Sequence, residues 1–247
     1  MKIGITERGD AGIDMRWVSK MDTVNGAILI TKNITNEFIY HVMRCNKPII
    51  IHCTCTGYGG SQLEPNVPIP EKQILKCMEL IDKGFPASYI VLRIDPIFPS
   101  PKGLKKLDDV LSLYSRTLYY KGVTRIRISI VDEYRHVKDR YAQRGWPSLY
   151  GNNFQASTQQ LQETVSLLDM YGYKYECCAE KELASMSDKI TERGCISPYD
   201  LFLMNLSNDT MTENPQNRQG CHCLSCKTEL LENKHSCKHE CVYCYWR

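Results

Sequence analysis

Three cysteines, Cys237, Cys241 and Cys244, stand at C-x3-C-x2-C within the last eleven residues of the chain. Three thiolates at this spacing can wrap one face of an iron–sulfur cubane and hold three of its four irons, leaving the fourth open to a ligand. The same region has a second partition. Cys223-x2-Cys226 and Cys241-x2-Cys244, with fourteen residues between the pairs, have the spacing of a tetrahedral zinc ribbon. His222, His235 and His239 stand among them as further ligands. A further grouping of four thiols, Cys178, Cys195, Cys221 and Cys223, suffices for an auxiliary [4Fe–4S] cluster or a structural zinc. The plainer account of Cys178 and Cys195 is that they are small buried hydrophobes. Cys45, Cys53, Cys55, Cys77 and Cys177 fall in apolar segments and are expected to pack there.

The composition suits this chemistry. The chain has 247 residues, enough for a full core, and thirteen cysteines, an odd number. The start, Met1 to Thr6, has no apolar export stretch. Ligation of a metal or cluster in a reducing cytoplasm is therefore expected over disulfides. A net charge of +3 does not demand nucleic acid as a partner. No apolar run is long enough to span a bilayer, so no membrane partner is expected.

The elements that position these groups alternate. Strand-like runs cover 2–6, 27–31, 48–56, 89–95, 125–132 and 174–179; helical spacing covers 14–20, 36–44, 71–83, 104–119 and 158–171. Short β-branched runs between amphipathic helices predict buried parallel strands with helices outside. Six units fit an α/β fold of the partial (β/α)6 TIM-like barrel type, with a doubly wound open sheet as the alternative. The barrel is expected over 1–184, and a Cys-rich segment over 185–247 packs on its mouth. The stretch 209–219 reads as a loop. Each strand ends in polar residues: Thr6, Glu7, Arg8 and Asp10; Thr31, Lys32 and Asn33; Thr54, Thr56 and Tyr58; Arg93 and Asp95; Asp132 and Tyr134; Cys178 and Glu180. Barrel active sites gather at these carboxyl ends.

The terminal motif, with Tyr243 before its last cysteine, resembles the cluster motif of radical S-adenosylmethionine enzymes and is similar to that of spore photoproduct lyases. Its position at the C-terminal end resembles the domain of unknown function 1848 family, whose members look like circularly permuted radical enzymes. The likeness extends through Thr6–Asp10, Thr31–Asn33, Thr54–Tyr58, Arg93–Pro96, Ser129–Asp132, Cys178–Glu180 and Gln216-Asn217-Arg218. Cys226, the stretch from Lys227 to Ser236, and Glu7 depart from the pattern. The resemblance implies a [4Fe–4S] cluster on Cys237, Cys241 and Cys244, S-adenosylmethionine on its open iron, and hydrogen abstraction from a substrate such as a nucleobase or nucleic acid. An electron donor such as flavodoxin or ferredoxin would serve it.

S-adenosylmethionine presents an ammonium, a carboxylate, a ribose diol and an adenine. Arg forks and carboxylates suit these groups. Thr31, Lys32, Asn33, Arg93 and Asp95 are expected as the nearest wall, with Glu180, Arg8 and Asp10 as further partners and Tyr243 near the adenine. Two other readings stand beside this one. One is a zinc-ribbon protein that binds nucleic acid, to which the Arg, Lys and Tyr of 125–144 and Trp146 would contribute. The other is a barrel hydrolase whose divalent metal is held by His52, Asp95, Asp132 and Glu180.

Overall fold

All six expected strands form, in one sheet that gains two more. The computed structural model describes residues 1–206, 212, 220–232 and 235–246. The strands are β1 (Ile3–Ile5), β2 (Gly26–Thr31), β3 (Ile49–Thr54), β4 (Ile90–Ile97), β5 (Arg125–Ile130), β6 (Tyr175–Cys177), β7 (Ile190–Glu192) and β8 (Lys227–Glu229). Their order is β7-β6-β5-β4-β3-β2-β1-β8, and every pairing is parallel. The sheet is an open, barrel-like α/β array, since β7 and β8 are its two edges. The order never reverses, so the doubly wound alternative, which needs a switch point, does not apply. Six strands become eight because β7 and β8 come from the Cys-rich segment. They are too short to stand out as periodic runs.

The helices are α1 (Asn36–Arg44), α2 (Pro70–Asp82), α3 (Pro101–Arg116), α4 (Arg135–Ala142), α5 (Thr158–Tyr171), α6 (Lys181–Ser185) and α7 (Pro198–Leu203). The expected helix over 14–20 is a 3-10 helix, Met15–Thr23. Asp14 caps it by accepting from the Arg16 amide. A full capping box starts α5, where Ser157 and Gln160 satisfy each other's backbone amides, and Gly172 ends it in the left-handed region.

Side chains alternate between two apolar layers. Leu29, Ile51, Leu92 and Ile128 pack outward against Phe38, Ile74 and Leu107 of the helices. Ile3, Ile5, Ile28, Ile50 and Val91 face the concave side and meet Ile196, Leu201, Met204 and Leu224. The chain after β7 therefore fills the floor of the concave face. This leaves the carboxyl ends of the strands as the rim on which functional groups can gather. Gln216, Asn217, Arg218 and nearly all of the expected 209–219 loop lie outside the described residues.

Candidate metal and cofactor site

The tail that carries the C-x3-C-x2-C motif is mounted on the ends of β1, β2 and β3. Asp10, after β1, is 6% exposed and organises the mount. Its Oδ1 accepts from Thr31 Oγ1 at 2.6 Å and from the Gly12 amide at 2.9 Å. Its Oδ2 accepts from the Lys32 amide at 2.6 Å and pairs with His239 Nε2 at 2.9 Å. Burial pushes the Asp10 pKa up, and His239, the Lys32 amide and Thr31 override it, so the carboxyl is held below its ordinary value. For His239 burial pushes down and Asp10 overrides it, raising the imidazole. The turn needs glycine at position 12: a Cβ there would stand 1.9 Å from the Asn33 carbonyl oxygen. The Asn33 amide donates to Thr31 Oγ1 at 2.9 Å.

A second buried group continues the mount. Lys32 Nζ donates to Glu64 Oε1 at 2.8 Å and lies 5.5 Å from the Tyr243 ring centre. Glu64 is fully buried and also accepts from Thr56 Oγ1 at 2.8 Å and from the Tyr243 hydroxyl. Burial favours a protonated Glu64, but Lys32 outweighs it and keeps the carboxyl low. Tyr243 packs edge-on against Phe98. Outer clamps complete the mount. The Val242 amide donates to Leu63 O at 3.0 Å. Arg140 donates to Val242 O at 2.7 Å and to Cys244 O at 2.5 Å.

Cys241 is buried, and Cys237 and Cys244 are half-buried. Burial pushes the Cys241 thiol up to about 12, with Lys32 opposing and Glu64, Cys244 and Cys237 adding to the rise. Cys237 is raised by burial against the His239 amide, and feels Asp10 and Cys244. The three are thus electrostatic neighbours, and all are free of disulfides. Two sulfurs on one tetrahedral ion stand roughly 3.8 Å apart, given a metal–sulfur bond of about 2.3 Å. Among the described residues only Cys178, Cys195 and Cys223 bring their ligand atoms within 4.8 Å of one another. The tail trio does not form a group of this tightness.

Cys178, Cys195 and Cys223 therefore form the tight thiol group, one that could hold a metal ion. Cys178 follows β6, Cys195 follows β7 and Cys223 precedes β8, so chain segments flanking the two edge strands meet here. The Cys195 amide donates to Cys223 Sγ at 3.2 Å. The Cys178 and Cys195 thiols hydrogen-bond to Cys223 and lower its pKa; burial opposes, Lys227 assists, and Cys221 also reaches this sulfur. Gly194 permits the crossing of the two loops, because a Cβ there would stand 2.3 Å from His222 O. Thiolate-rich, oxygen-free donor sets of this kind take zinc or iron.

Between the two cysteine groups lie Arg93 and Asp95, hydrogen-bonded to each other, and Glu7, paired with Lys227 at 2.5 Å. Burial and Cys195 push Glu7 up to about 7, with Lys227 opposing. Burial, then Glu7 and Asp95, raise the Tyr245 phenol, with Arg93 opposing and Cys195 adding a further rise, so this ring faces the same space. Glu180 accepts from Ser129 Oγ and the Ile130 amide, each at 3.2 Å. Arg8 lies over the Trp246 ring at 5.7 Å.

The structure thus divides the expected site residues. Asp10, Thr31, Lys32 and Tyr243 bind the tail to the strands, whereas Arg93 and Asp95 face the space between the cysteine groups. The zinc-ribbon set does not assemble, because Cys223 joins Cys178 and Cys195 while Cys241 and Cys244 belong to the tail mount. The His52, Asp95, Asp132 and Glu180 set does not assemble either: Asp95 is bound to Arg93, and His52 lies deeper among arginines. In the basic stretch 125–144, Arg125 and Arg127 are buried on β5 and so are no part of a solvated surface. Glu64 and Lys227 carry no signal in the sequence, and Arg127 stands out there only as part of a basic stretch expected at the surface. The alternation of Arg125, Arg127 and Ser129 with Ile126, Ile128 and Ile130 marks a strand with one polar face and could have found Arg127. No pattern marks Glu64.

Fold and site together define an α/β protein with an open parallel sheet and a cysteine group at the rim that could hold metal. The chain belongs to the domain of unknown function family DUF1848, whose family model matches residues 13–246. No curated protein matches the chain. Among the described residues no helix is long and apolar enough to cross a membrane.

Proposed function

We propose that this protein is a radical S-adenosylmethionine enzyme with a circularly permuted partial barrel. Cys237, Cys241 and Cys244 would hold a [4Fe–4S] cluster. Cys178, Cys195 and Cys223, with Cys221 as the fourth ligand, would hold a second cluster or zinc. The observation that carries the reading is the pairing of two separate cysteine groups on the strand ends of one parallel sheet, with Arg93, Asp95, Glu7 and Tyr245 between them. Held by Cys237, Cys241 and Cys244, such a cluster would supply one-electron reduction of the cofactor's sulfonium and, through it, hydrogen-atom abstraction from the substrate.

The chain's own residues have clear tasks in this reading. The Asp10–His239 and Lys32–Glu64 pairs fix the tail, so that the trio faces the space above Arg93. Asp95, held by Arg93, offers a carboxylate to the ammonium at the methionine end of the cofactor. Tyr243 and Phe98 wall the cluster from water. A low-potential electron donor such as flavodoxin or ferredoxin and a reducing cytoplasm belong to the same proposal.

The test is anaerobic reconstitution with iron and sulfide, followed by dithionite and S-adenosylmethionine. Release of 5′-deoxyadenosine, lost on Cys237→Ala, Cys241→Ala or Cys244→Ala, supports the reading. Bound zinc without iron or sulfide, and no such product, would leave the tight thiol group as a structural zinc site and reject it.

A further inference from the structure

A layer of cationic and polar side chains crosses the concave face below the rim. Strand register aligns Thr54 with Arg93, Arg93 with Arg127, and Arg127 with Glu176. His52 lies two residues before Thr54 on the same face of β3. His52 is 0% and Arg127 2% exposed.

These groups are only partly satisfied. Arg127 Nη2 donates to Glu176 Oε2 at 2.9 Å. Arg125 donates to Glu176 and to Asp200 Oδ1, the latter at 2.9 Å. Arg93 Nη2 is bound to Asp95. The remaining atoms, Arg127 Nε and Nη1, Arg93 Nη1, Arg125 Nη1, both ring nitrogens of His52, and Thr54 Oγ1, are buried with no hydrogen-bond partner among the described residues. Buried donors on charged groups are seldom left unpaired, because each forfeits its hydration without return. Charge points the same way. Arg93, Arg125, Arg127, Arg193 and Lys227 face four carboxylates, Asp95, Glu176, Asp200 and Glu7, leaving one positive charge in excess. His52 adds none, since burial and then Arg127, Arg93 and Arg125 hold its pKa well below the ordinary value.

We propose that this layer binds an anionic group of the substrate, a carboxylate or a phosphate, between the Arg93 and Arg127 guanidiniums, with His52 and Thr54 as further donors. The word substrate rests on the proposed radical chemistry; the anion site itself does not. In this proposal the site is distinct from that of the cofactor's own carboxylate. The charged neighbours of the tail trio are Lys32, Asp10 and Glu64. Those of Arg93 and Arg127 include Cys195 of the other cysteine group. An anion seated here would hold the rest of its molecule in the space between the two groups.

The test is thermal unfolding of the full-length, anaerobically metal-loaded protein in inorganic phosphate or acetate, against chloride at equal ionic strength. The midpoint should rise in one of the two by about 3 °C at tenfold its dissociation constant. The stronger anion identifies the substrate group. Arg93→Gln should abolish the rise, and Lys105→Gln, on exposed α3, should retain it. If Arg93→Gln does not unfold cooperatively, Thr54→Val replaces it, with a several-fold weaker response expected. Equal midpoints in phosphate, acetate and chloride overturn the proposal. So does an undiminished rise in both Arg93→Gln and Thr54→Val. Loss of the rise when S-adenosylmethionine is added overturns it too, by giving the site to the cofactor. A protein that shows the anion response yet never releases 5′-deoxyadenosine refutes the radical reading alone.

Discussion

His239 Nε2 and Asp10 Oδ2 meet at 2.9 Å across 229 residues of sequence, and both side chains are buried. This pair joins the middle of the cysteine motif to the loop after β1. Through the Lys32 amide and Thr31 it also reaches the end of β2. The motif's place on the rim is set by such polar clamps together with the packing of Cys241, Val242 and Tyr243 on Tyr58, Phe98 and Val137.

Breaking the clamp should free the tail. Asp10→Asn removes the charge that holds His239 and should cost roughly 3 kcal/mol, the usual scale for one partner of a buried ion pair. Hydrogen exchange should quicken at 237–246 and stay unchanged in α5. Unchanged exchange in the tail would show that other contacts hold it.

The Lys32–Glu64–Tyr243 group should show graded losses. Tyr243→Phe keeps the ring against Phe98 and Lys32 and loses one hydrogen bond, about 1 kcal/mol. Glu64→Gln leaves the Lys32 ammonium buried without its counter-charge, about 3 kcal/mol. Chemical denaturation of both variants checks the order, and a larger loss for Tyr243→Phe would refute it.

Glu7 and Glu229 give the β1–β8 edge a pH dependence. Burial raises both from 4.5 to about 7, Cys195 adding at Glu7 against Lys227, and the Leu231, Glu7 and Arg8 amides opposing at Glu229. The folded state therefore binds more protons than the unfolded one between these values. The stability they contribute is fully present below 4.5 and is lost as pH rises through about 7. Glu229→Gln should flatten this slope. Denaturation midpoints at about pH 5 and about pH 8 measure it, and parallel profiles for the two proteins would sink the prediction.

Metal content should follow the tight thiol group. Cys178→Ser, Cys195→Ser and Cys223→Ser should each remove metal and lower the melting temperature, as should a strong chelator. Cys226→Ser should retain it. Loss of metal from Cys226→Ser alone would point to a different ligand set.

The strand–helix alternation was legible because each unit carries its own period: α1 and α5 begin and end where their spacing predicts. The four auxiliary cysteines were legible as residue types in one neighbourhood, and three converge as expected. Less legible were β7 and β8, each three residues long, which exist because β6 and β1 offer them open edges. Glu64 could not be read at all. Its role depends on a loop folding back over Lys32, which is a tertiary event. Asp10, Lys32 and Tyr243 were found as polar strand-end or motif residues, but their mutual partnership is visible only in three dimensions.

The β1–β8 pairing sets Ile3 beside Lys227, so the ladder at one edge of the sheet joins residues 224 positions apart. During translation β1 must wait with a bare edge until residues 227–229 have left the ribosome. A contact of such long range forms slowly, and an unpaired apolar edge invites pairing with other chains in the interval. Nascent chains halted before residue 227 should consequently be the species that chaperones retain and that aggregates when expression is fast.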